Sequence, residues 1–137
     1  MSYVFGENPM TTLEKIEQDW KFPLPERHRQ ALLALSDPIY QACDFLVLES
    51  EHKLHRILDL NEWIHSQQVD DPWPKELLAF ASNGCGDYFA YHLLGGGRYE
   101  IIYTDPDQTV EENLNKEDRS MQFDSFAAWY ESTLPTR

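Results

Sequence analysis

At 137 residues the chain has the length of one compact core and is too short for two independent ones. Four Trp, seven Tyr and seven Phe exclude general disorder. A formal charge of -13, from 24 Asp and Glu against 11 Lys and Arg, sets the surface against nucleic acid and leaves it two uses: solubility, or attraction of a basic partner.

Residues 1–10 read as a flexible leader, since MSYVFGENPM lacks the basic start and apolar centre of a signal peptide. Thr11 and Glu14 stand at capping-box spacing, and Leu13, Ile16 and Trp20 then recur at helical intervals. Pro25 suits the first position of a second helix, with Ala31, Leu32 and Leu35 as its apolar stripe and Ser36-Asp37-Pro38 as its end. From Ile39 to Leu48 two patterns overlap: Ile39, Cys43 and Leu46 fit a helix, while Phe45-Leu46-Val47-Leu48 reads as a buried strand, the reading favoured for the second half. Arg56 to Leu60 reads as another, with Asn61 as the N-cap of a helix through Trp63 and Ile64. Val69 to Pro74 is a loop.

Leu77 to Ala81 is short and continuously apolar, as a central strand covered on both faces must be. After an Asn83-Gly84 turn, Phe89, Tyr91 and Leu93 alternate with Tyr88, Ala90 and His92. Gly95-Gly96-Gly97 then turns the chain into a strand over Tyr99 to Thr104, which completes an antiparallel meander. Asp105 to Ser120 is a polar, acidic stretch, and Asp124 or Ser125 caps a last helix carrying Phe126, Trp129 and Tyr130. The expected architecture is α+β: a single domain over 1–137 with a mainly antiparallel sheet flanked by helices.

The run from Leu77 to Leu93, a buried strand leading through a Gly-rich turn and Gly86-Asp87-Tyr88 into a second strand, resembles the central signature of SUKH-superfamily domains. Leu24-Pro25 with its helix, Ile57 to Glu62, Tyr99 to Asp107 and Ser125 to Trp129 resemble the remaining pieces in the family's order. The resemblance implies a toxin-immunity function: a cytoplasmic protein, without catalysis or cofactor, that blocks a cognate toxin domain by binding it. It also implies an alternative, an intracellular regulatory or scaffold domain of the kind associated with cell-wall assembly.

Chemistry other than binding finds little support. Cys43 and Cys85 are the only cysteines, in contexts unlike a metal site or a disulfide framework. Cys85, Asp87 and His92 resemble a nucleophile set, but on a strand Asp87 and His92 point to opposite faces. Asp105, Asp107, Thr109, Glu111 and Asn113 follow a calcium-loop rhythm, but Val110 stands where Gly is required and Lys116 where the closing Glu is. His52 and His55 lack a third ligand, and the glycine run lacks the Lys-Ser/Thr ending of a phosphate loop.

Charge remains, and it has a location. Tyr99 to Asp124 carries eight acidic residues against Lys116 and Arg119. The expected partner-binding residues are therefore Asp70, Asp71, Glu100, Asp105, Asp107, Glu111 and Glu112, facing a basic toxin such as a nuclease; solvation alone is the competing reading. Asp87 joins them with two roles open, holding its turn through backbone N–H bonds or touching the partner. No membrane association is expected, because no stretch has the length of a span.

Overall fold

Pro9 lacks an amide hydrogen and has a fixed φ, so it opens a helix without loss. In a computed structural model, which describes residues 9–34, 44–48, 50–67, 71–82, 87–116 and 121–133, helix α1 runs Pro9–Trp20. It begins inside the expected leader, and Thr11 consequently lies within the helix instead of capping it. Leu13 and Ile16 are fully buried. Lys21, at φ 52°, ends the helix, and Leu24 donates its N–H to Glu17 Oε2 at 2.7 Å. Helix α2 spans Glu26–Leu33, with Pro25 one position earlier than expected: it is the cap, and its carbonyl accepts from the amides of His28 and Arg29. Leu35, the Ser36-Asp37-Pro38 stop and both cysteines lie outside the described residues.

The sheet has the order β1-β2-β3-β4, all antiparallel, with β1 Asp44–Phe45, β2 Leu77–Ser82, β3 Tyr88–Gly95 and β4 Arg98–Thr104. β2 is central and buried along nearly its whole length, as its apolar run demands. A bulge at Phe80 breaks its register with β3 between Ala79 and Ala81. The β3–β4 hairpin closes through Gly95, Gly96 and Gly97, all at positive φ, the conformation that only glycine adopts without strain.

Helix α5, Phe126–Thr133, packs Phe126 and Trp129 onto the face of the sheet that carries Phe80, Phe89 and Tyr91. Ser125 caps it through Oγ, which accepts the Ala128 N–H, and the Tyr99 hydroxyl accepts the Phe126 N–H. His28 of α2 lies in the same layer, wholly buried, its ring against Phe45, Phe80, Tyr91 and Phe126.

Arg56 to Leu60 is not a strand. After a parallel bridge between Val47 and Arg56, helix α3 runs Ile57–His65, so Asn61 is a helix-interior residue and not an N-cap. What holds it there is tertiary. Its side-chain Oδ1 accepts the Ala79 N–H and its Nδ2 donates to the Ala79 carbonyl, both at 2.8 Å. His65, one turn on, donates through Nε2 to the Leu77 carbonyl at 2.8 Å. The i, i+4 spacing of a helix thus meets the i, i+2 spacing of a strand, and α3 pairs the stretch of the β2 edge that β1 leaves uncovered. On the opposite edge, Phe123 exchanges two backbone hydrogen bonds with Ile101 of β4. The acidic stretch after β4 also differs from expectation: it contains a short helix, α4, Val110–Leu114, nucleated by a full capping box in which Thr109 and Glu112 satisfy each other's backbone amides.

Candidate functional site

The open end of the β3–β4 hairpin, where β3 begins and β4 ends, carries most of the expected acidic residues. Asp71 Oδ2 accepts the Val110 N–H at 2.7 Å and so ties the loop before β2 to the start of α4. Asp105 Oδ1 accepts the Asp107 N–H at 2.8 Å, and Glu111 and Glu112 form the first turn of α4. Glu112 is held below the usual carboxylate range by the Thr109 backbone amide and then by the Thr109 hydroxyl. The fold thus brings Asp71, Asp105, Asp107, Glu111 and Glu112 around one short helix.

The other expected residues lie elsewhere. Glu100 sits four positions back along β4, roughly 13 Å by strand rise, and accepts from His92 Nδ1 at 3.1 Å across the hairpin. Asp87 accepts the Tyr103 hydroxyl, on the face opposite His92, and so ties β3 to β4. Asp70 lies outside the described residues, as does Cys85 of the nucleophile set. Among the described residues no three His, Cys, Asp or Glu side chains converge as a metal site.

Between the acidic loops and α3 the surface is concave. A cleft of about 520 Å³ is bounded by Trp63 on α3, Trp73 and Asp71 before β2, Tyr88 on β3, and the Thr104-to-Asn113 segment that holds Asp105 and Val110. Trp73 is fixed edge-on between His65 and Tyr88, at centroid distances of 6.0 and 5.9 Å. Burial pushes His65 down and pushes the Tyr88 phenol up. Trp63 is 47% exposed, unusual for so large an apolar side chain. The far wall is pre-formed: Asn113, nearly buried, accepts the Asp105 N–H through Oδ1 and donates through Nδ2 to the carbonyls of Asp105 and Thr109.

The two tryptophans were not among the residues expected to bind. A signal for Trp63 exists: once the helix starts at Ile57, the residues Ile57, Leu60 and Ile64 form its buried stripe and Trp63 falls off it. For α4 the signal is Thr109-x-x-Glu112, a capping-box signature inside the acidic run.

The sequence profile of the SMI1 / KNR4 family (SUKH-1) matches residues 11–132, nearly the whole described fold. The chain belongs to this family. Searches of curated proteins and of solved structures find no match. SUKH-1 membership is consistent with an immunity role and with an SMI1/KNR4-like role, and the family is generally non-catalytic. Among its described residues this SUKH-1 protein has no helix long and apolar enough to cross a membrane.

Proposed function

We propose that this protein is an immunity protein that neutralises a cognate toxin domain by binding it, with the aromatic cleft and its acidic rim as the contact surface. The observation that carries this reading is the combination, in a SUKH-1 fold, of an exposed Trp63 in a pre-formed concavity lined by Asp71 and Asp105, with Asp107, Glu111 and Glu112 next to lining residues in the adjoining loop and α4. Anchoring aromatic residues enclosed by polar rims are the usual energetic centres of protein interfaces. A rim already ordered by the capping box and by Asn113 has little conformational entropy left to lose on binding. The acidic charge selects a basic partner, and a nuclease toxin, whose phosphate-binding surface the carboxylates would occupy, fits that requirement.

Co-expression tests it. The toxic domain encoded beside this protein should stop growth alone and permit growth when the two are expressed together, and the purified pair should form a stoichiometric complex. Absence of both rescue and complex would favour the regulatory reading, in which the same cleft receives an intracellular partner unrelated to a toxin.

A further inference from the structure

The cleft has a charge and shape of its own. Among the described residues its lining includes Asp71 and Asp105 and no lysine, arginine or histidine. Each carboxylate spends one oxygen on a backbone amide, Asp71 Oδ2 on Val110 and Asp105 Oδ1 on Asp107. Among the described residues the second oxygen of each, Asp71 Oδ1 and Asp105 Oδ2, accepts no hydrogen bond. The rings of Trp63, Trp73 and Tyr88 line the same cavity. A cation entering here shares one cavity with aromatic rings and carboxylates, the two kinds of group that attract it.

We infer that the cleft is a receptor for an arginine side chain presented by the partner protein. This inference rests on the binding role proposed above and names the group that the site takes. Arginine fits where lysine does not, for two reasons. A guanidinium is planar and weakly hydrated, so it stacks on an indole at small desolvation penalty, whereas an ammonium is a compact and strongly hydrated point charge. Its five N–H donors lie in one plane with the charge spread over it, so hydrogen bonding to carboxylates leaves its faces available to aromatic rings, whereas an ammonium concentrates its charge and hydration at one atom. The rigidity of the site favours the same ligand. Trp73 is wedged between His65 and Tyr88, and Asn113 fixes the backbone that carries Asp105, so the slot does not collapse when empty.

The experiment is a titration of the protein with capped Gly-Arg-Gly and, separately, capped Gly-Lys-Gly, observed through the indole N–H signals of Trp63 and Trp73 in a ¹H–¹⁵N NMR spectrum. Saturable movement of both signals with the arginine peptide, clearly weaker with the lysine peptide and reduced about tenfold in affinity by Trp63→Ala, is the expected result. Asp71→Asn and Asp105→Asn, which keep shape and lose charge, should each weaken it as well; the dispersion of the remaining amide signals reports whether each variant is folded. No movement with the arginine peptide, or equal movement with both peptides, overturns the inference. The outcome is independent of toxin rescue: rescue without an arginine response removes the receptor and leaves the immunity reading, and an arginine response without rescue does the reverse.

Discussion

His28 is a titratable side chain wholly buried in the fold. Its Nδ1 lies 2.7 Å from the Tyr91 hydroxyl, and Nε2 has no hydrogen-bond partner among the described residues. The rings of Phe45, Phe80 and Phe126 fill the rest of its surroundings, so no charge offsets the burial, and the imidazole is pushed down to about 3. The folded protein therefore keeps His28 neutral, while the unfolded chain takes a proton below about 6.5. Between those two values the unfolded state binds more protons, and stability falls as pH falls, by roughly 1.4 kcal/mol for each pH unit from this residue. Urea denaturation at a series of pH values should show that slope between pH 6.5 and about 4.5. In the His28→Phe/Tyr91→Phe double variant, which removes the titration without stranding the phenol, the slope should flatten; an unchanged slope would place the acid sensitivity elsewhere.

At the scale of elements, the contact between α3 and β2 is the one that local reading misplaces. Arg56 to Leu60 has the composition of a strand, and Asn61 has the side chain of a cap, so local preference puts a boundary between them. The fold overrides that preference because Asn61 has a better use inside the helix: it pairs both polar groups of Ala79 on an edge that would otherwise be buried and unpaired. Only the position of β2 in space reveals this, and no spacing along the chain encodes it. The meander was legible for the opposite reason: alternation over Tyr88 to Leu93 and the glycine turn are local signals, and the strands they predict pair with their sequence neighbours. The cleft was half legible. Its carboxylates were evident as charge, but Trp63 and Trp73 are ten residues apart and share a concavity only after α3 docks on β2. Asn61→Leu, which matches volume and removes both hydrogen-bonding groups, should accordingly destabilise the fold by about 2–5 kcal/mol, because it strands a buried amide and a buried carbonyl. Chemical denaturation measures it, and a loss below about 1 kcal/mol would show that the edge is satisfied in another way.

Over the whole molecule the charge is unevenly placed. Five acidic side chains gather at the open end of the β3–β4 hairpin, around α4, whereas the surface around the glycine turn at its closed end carries Lys21, Lys75 and Arg98 against Glu76. Six residue steps separate Arg98 from Thr104, so the two ends stand roughly 20 Å apart by strand rise, more than twice the screening length at physiological salt. A basic partner therefore feels an oriented field, more attractive at the cleft than at the turn. This orientation acts on encounter more than on the docked complex, so salt should lower the association rate steeply and change the dissociation rate little. It also separates local from global charge. Asp107→Asn/Glu111→Gln and Glu14→Gln/Glu131→Gln remove the same charge from exposed positions, the first pair beside the cleft and the second on α1 and α5. Stopped-flow association with the cognate partner at low salt should slow several-fold for the first pair and far less for the second. Equal slowing would mean that total charge attracts the partner without aiming it, and a rate indifferent to salt for the unmodified protein would remove electrostatic steering altogether.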